Sequence, residues 1–78
     1  MVTVRYWAGA QAAAGQAEET FAVGTVGELL TAIGSRPKLA RVIPACSLLL
    51  DGLALHGDHS VRLPHGAVID VLPPFAGG

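Results

Sequence analysis

Asp70-Val-Leu-Pro-Pro-Phe-Ala-Gly-Gly78 closes the chain, and its reading decides how the remaining residues are arranged. An apolar run that reads as a strand meets two prolines, then one aromatic residue, then a small-residue tail ending at Gly78. Pro73 and Pro74 donate no ladder hydrogen bonds and hold φ near the polyproline value, so the strand stops there and the chain leaves the sheet as an extended rod. Ala76, Gly77 and Gly78 add almost no apolar surface and, at the glycines, no Cβ, so the tail suits a narrow channel in a partner. A free Gly78 carboxylate is a poor electrophile and needs activation, most simply as an acyl-adenylate formed with ATP. The sequence contains no G-x-x-x-x-G-K-[ST] and no G-x-G-x-x-G after a strand, so ATP is expected to be held by a partner enzyme and no cofactor by this chain.

The 78 residues allow one small domain, read as residues 1–74, followed by a carrier tail over 75–78. Apolar residues make up 51% of the chain, much of that alanine, so the larger core side chains are few and their placement is legible. A net charge of −1 argues against nucleic-acid binding, which calls for a basic excess. The Met-Val-Thr-Val-Arg start lacks a charged segment followed by an apolar one, and no stretch approaches the length of a membrane span, so no membrane partner is expected. With one cysteine and no leader the expected location is the cytoplasm.

Val2 to Trp7 alternates, with Val2, Val4 and Tyr6 on one face and Thr3, Arg5 and Trp7 on the other, which predicts a half-buried strand. Ala8 to Gly15 reads as a loop with at most one helical turn. Ala17 to Val23 reads as a second strand, antiparallel to the first, with Phe21 and Val23 inward. Thr25-Val-Gly-Glu28 has capping-box spacing and starts a helix. Val26, Leu29, Leu30 and Ile33 form one apolar stripe along it, and Gly34 is the expected stop. So short a helix holds only by docking on a sheet. Leu39, Val42 and Ile43 suggest a further helical turn. Cys46 to Leu50 predicts a third strand, apolar on both faces near its end, and Asp51-Gly52 a turn into a short return strand over Leu53 to Leu55. Ala67 to Leu72 is the last strand. Adjacency rules place it beside the first, in the middle of a mixed sheet with one main helix on one face, an α+β layout whose inner face includes Val2, Val4, Phe21, Ile69 and Val71.

This order, with Val4-Arg-Tyr-Trp-Ala8 in the opening strand, the Thr25-Val-Gly-Glu-Leu-Leu30 helix start, Leu50-Asp-Gly52 at a turn and the terminal Leu72-Pro-Pro-Phe-Ala-Gly-Gly78, resembles the ubiquitin-like β-grasp sulfur carriers. The molybdopterin synthase small subunit, MoaD, is the nearer likeness and the thiazole-pathway carrier ThiS the more distant one. The resemblance implies that an E1-like enzyme adenylates Gly78 and that a sulfurtransferase or other donor converts it to a thiocarboxylate. The large synthase subunit, MoaE, then uses that sulfur to build the dithiolene of molybdopterin in molybdenum cofactor biosynthesis. In that scheme the chain carries sulfur and catalysis belongs to its partners. Phe75 is bulkier than the small aliphatic residue of the family pattern, and the loop from His56 to Val61 lacks the family's acidic character. The same tail also fits a carrier for thiamin, cysteine or another thio-metabolite, a ubiquitin-like protein modifier, or an interaction module with an inert terminus.

On this reading Gly78 reacts, while Phe75, Ala76 and Gly77 thread into the partner. Trp7 has two readings: a partner anchor on the open face of the sheet, or a cap on the core edge under the alanine-rich loop. Leu48, Leu50 and Leu72 are expected to extend the Trp7 patch, with Pro73 and Pro74 at its rim. His56, Asp58 and His59 lack a second element to complete a ligand set, so no metal site is expected. Cys46 opens a strand with nothing nearby to lower its pKa and reads as a packing residue. No nucleophile-elbow pattern supports a triad from Ser60 or His65. Arg36, Lys38 and Arg41 read as a solvated face, or as a meeting point for an acidic partner.

Overall fold

The computed structural model describes residues 1–74. Strand β1 (Val2–Tyr6) is followed by helix α1 (Ala8–Ala14), strand β2 (Glu18–Phe21), helices α2 (Val26–Gly34) and α3 (Pro37–Val42), a 3-10 turn over Ile43–Ala45, and strands β3 (Ser47–Leu50), β4 (Leu53–Ala54) and β5 (Val68–Leu72). The five strands form one sheet in the order β2-β1-β5-β3-β4. β1 and β5 pair in parallel at its centre and the other pairs are antiparallel, the ubiquitin-like β-grasp layout expected from the sequence.

The core lies between the sheet and α2 with α3. Val2, Val4 and Tyr6 of β1 and Ile69 and Val71 of β5 are buried against Leu29, Ile33 and Leu39. Phe21 lies on the same inner face, opposite Val2, and is half-buried. Both capping groups of α2 are used. Thr25 Oγ1 accepts from Glu28 N (3.1 Å), while Glu28 Oε1 accepts from Gly24 N (2.8 Å), one residue before the cap itself. The first amides of the helix find partners across the chain, Val26 N donating to Val61 O and Gly27 N to His59 O. The 59–61 segment thus closes the helix N-terminus. Asp51 and Gly52 both take positive φ (47° and 87°), the primed turn that an Asp-Gly pair permits between antiparallel strands.

Three expectations change. Ala8 to Gly15 is a helix, not a loop: Ala10 and Ala14, one turn apart, are buried, and Gly15 ends it at φ 78° with its N–H on Gln11 O. Alanine has the highest helix propensity and lets a helix approach its neighbours closely. Leu30 is only half-buried, unlike Leu29 and Ile33, because it faces the rim of the α2 stripe. Arg36 is half-buried and tied into the fold, not a free solvated cation. Its guanidinium pairs with Glu19, which also accepts from the Tyr6 hydroxyl (2.7 Å), and its Nη2 donates to Ala14 O (2.7 Å) at the end of α1. Burial and the hydrogen bond to Glu19 push the Tyr6 phenol well above its ordinary pKa.

Candidate functional site

The sheet has one face covered by helices and one open, and register assigns each side chain to a face. Val4 opposite Ile69 and Tyr6 opposite Val71 define the inner face, so Arg5 opposite Asp70 lies on the outer one. β3 follows from β5: Leu48 opposes Val71 and Leu50 opposes Ile69, which puts both leucines on the inner face. They are half-buried against the core and do not extend the Trp7 patch, contrary to expectation. Leu49, opposite Asp70, is the leucine of this strand that faces outward, with Ser47 opposite Leu72 beside it. Leu72 is half-buried on the outer face as expected, Pro73 is half-buried and Pro74 exposed.

Trp7 stands on the outer face, 46% exposed, immediately before α1. It is therefore not a lid on the core edge. Its indole Nε1 donates to Asp70 Oδ1 at 2.9 Å. Arg5 holds the same carboxylate with two prongs, Nε to Oδ1 at 2.8 Å and Nη2 to Oδ2 at 3.1 Å, and its guanidinium carbon lies 5.8 Å from the centre of the Trp7 ring. Asp70 is only 8% exposed. The Arg5 hydrogen bonds hold its carboxyl below the usual carboxylate range against the opposing effect of burial, and the indole adds to the lowering. Asp70 was not among the residues expected at the site. A lone carboxylate in the apolar run Val68-Ile-Asp-Val-Leu72 is the sequence signal by which it was findable.

On the helix side, a groove of about 450 Å³ runs between the start of α2, the 3-10 turn and β3, lined by Val26, Leu30, Ile43, Cys46, Leu48 and Leu55 among others. The Cys46 thiol donates to Val42 O (3.2 Å), and burial pushes its pKa up, so it is a packing residue and a poor nucleophile. Asp58 accepts from the amide and hydroxyl of Ser60 (2.9 and 2.6 Å), which shapes the loop that caps α2. Among the described residues no group of three or more His, Cys, Asp or Glu side chains could hold a metal ion, and no helix is long and apolar enough to cross a membrane. The expected reacting and threading residues, Phe75, Ala76, Gly77 and Gly78, lie outside the described residues.

β5 is thus a central strand flanked on both sides, with its C-terminal end at the outer patch, so a tail beginning at Pro73 starts from a fixed point. Among solved structures, a chain in the complex of subunits 1 and 2 of the molybdopterin-converting factor from Helicobacter pylori superposes with a TM-score of 0.82 at 22% identity, over 99% of this chain and 97% of that one. The small archaeal modifier protein 1 from Methanosarcina acetivorans superposes with a TM-score of 0.80 at 26% identity, over 99% of this chain and 95% of that one. The Haloferax volcanii protein of the same name reaches 0.76 at 22% identity, over 99% and 98%. No curated protein matches the sequence significantly. The model of the ThiS family matches residues 4–78, from the first strand through the terminal Gly-Gly, and the chain belongs to that family.

Proposed function

We propose that this chain is a sulfur carrier acting through Gly78, with molybdopterin synthase as its destination and the small-subunit role as its part there. The observation that carries the reading is the family match running through Gly77 and Gly78, on a tail that leaves the central strand of the sheet. An E1-like partner binds ATP, and the Gly78 carboxylate attacks its α-phosphorus, releasing pyrophosphate and forming an acyl-adenylate. A donor of sulfide-level sulfur then attacks the carbonyl carbon and AMP leaves, so a thiocarboxylate replaces the carboxylate; where a sulfurtransferase supplies a persulfide, the acyl disulfide first formed is cleaved by a thiol reductant to the same product. At neutral pH that group is an anionic sulfur nucleophile, and threading Phe75 to Gly78 into a narrow channel of a MoaE-like large subunit supplies effective molarity. The outer sheet face, with Trp7, Leu72, Pro73 and Pro74, is where these partners dock. No step needs a base or a metal from this chain, so catalysis stays with the partners. The cytoplasm is the location that fits ATP-dependent charging.

The likeness to a molybdopterin-converting factor chain from a two-subunit complex favours this destination. The 26% identity to an archaeal modifier protein favours a second reading, in which the activated Gly78 is passed to lysines of other proteins. Incubation with ATP, an E1-like adenylating enzyme and a sulfur source separates the two. Intact mass gains an oxygen-to-sulfur exchange if the chain is a carrier. A modifier instead gives covalent conjugates, and a chain unchanged in mass with no conjugates overturns both.

A further inference from the structure

Asp70 is an unusual residue for its position. It sits mid-strand in β5, flanked by β1 and β3, between Ile69 and Val71, which are fully buried on the other face. Taking a carboxylate out of water is costly, and an apolar residue in such a place is often neutral or stabilising. The carboxylate is nevertheless fully engaged, by Arg5 Nε and Nη2 and by Trp7 Nε1. Stability alone does not account for it. These bonds fix the edge of an indole that is 46% exposed and a guanidinium whose side chain is 46% exposed, both side chains that otherwise sample several rotamers. The bidentate fork fixes the plane of the Arg5 head beside the Trp7 ring, at 5.8 Å from its centre.

We infer that Asp70 is a positioning residue for partner recognition, holding Trp7 and Arg5 as one preformed unit on the outer face of the sheet. The inference rests on the proposed docking of one partner, the E1-like adenylating enzyme, at that face. Association normally immobilises such side chains at an entropic cost, and a side chain already fixed avoids it. The carboxylate has its donors before the partner arrives, so covering it orphans no acceptor. The partner surface suited to this unit has an apolar slot for the indole and an oxygen acceptor at its edge for Arg5.

The test measures affinity for the E1-like adenylating enzyme that charges Gly78, using wild type, Trp7→Ala, Asp70→Val, Asp70→Asn and the Asp70→Val/Trp7→Ala double variant. Urea melts and the hydrogen-exchange rate of the Trp7 indole N–H are measured alongside. Asp70→Val should weaken binding roughly tenfold and speed indole exchange while leaving the melt near wild type. Asp70→Asn, whose amide oxygen still accepts from the indole, should lie between the two, and it carries the test if Asp70→Val fails to fold. In the Trp7→Ala background the effect of Asp70→Val should shrink to about threefold or less, because its main object is gone. An unchanged affinity in Asp70→Val with Trp7→Ala impaired overturns the positioning role and leaves docking intact. A full-sized Asp70→Val effect without Trp7 also overturns it. Unchanged affinity in Trp7→Ala overturns the docking reading and the positioning role together.

Discussion

Leu29 and Leu30 are adjacent residues of one helix, yet the packing assigns them different energetic roles. Leu29 is fully buried in the core, whereas Leu30 is half-buried and lines the open groove on the helix side. Truncating Leu29 to Ala removes three carbons, about 2.4 kcal/mol of transfer free energy at ~0.8 kcal/mol per methylene. The enclosed space left behind raises the total to roughly 3–5 kcal/mol. A chain of 78 residues at the usual ~0.05–0.15 kcal/mol per residue has about 4–12 kcal/mol in all, so Leu29→Ala approaches the limit of folding. For Leu30→Ala about half the transfer term applies and no closed cavity forms, which puts its cost at ~1 kcal/mol. Urea melts of the two variants, with m-values compared to confirm two-state unfolding, read the difference directly. A Leu30→Ala cost equal to or above that of Leu29→Ala would falsify the rotation of α2 on the sheet.

Acid should weaken the fold through Asp70. Its carboxyl pKa is depressed in the folded chain, so its contribution is present above the unfolded value of about 3.9 and is lost as pH falls through the lower folded value. The gap in urea midpoint between wild type and Asp70→Asn should therefore narrow below about pH 4; a gap independent of pH between 2 and 7 counts against the ion pair. Because Asp58 is depressed in the same direction by Ser60, the comparison must be between these two proteins and not within one. Gly15→Ala should cost about 1 kcal/mol, since Gly15 closes α1 at φ 78° with no neighbour within 4 Å to relieve or worsen the change. A melt unchanged by that substitution means α1 does not end there. Deleting Gly78, or replacing Gly77 with Val, should abolish the oxygen-to-sulfur mass gain while leaving the melt unaltered; a misplacement of ~1 Å already costs on the order of a hundredfold in rate. Normal charging of the deleted protein refutes the carrier reading.

The elements read best from sequence were those with redundant local signals. Around α2 the Thr25 and Glu28 caps and the apolar stripe agree, although Gly34 is the last helical residue and not a left-handed stop, the cap being Ser35; Asp51-Gly52 leaves the chain little choice but a tight turn. The central place of β5 followed from connection rules and needed no side-chain detail. α1 was hidden because alanine is uninformative in a hydropathy pattern: Ala10 and Ala14 stand a turn apart among other alanines. Leu48-Leu-Leu50 has no polar residue to mark its outward side, so only pairing with β5 decides which leucine faces the core. Arg36 and Asp70 find their partners 17 and 65 residues away, at Glu19 and Arg5, contacts that no local pattern encodes.

The parallel pairing of β1 with β5 also sets the mechanical character of the domain. A partner that draws on the tail applies force at Pro73, along the axis of β5. Since Val2 begins β1 alongside the start of β5, holding the opposite end of the chain pulls the two strands past one another lengthwise. In that shear direction the hydrogen bonds between β5 and β1 resist together and do not open one by one. The body behind Pro73 is thus built to keep its shape under a lengthwise pull on β5.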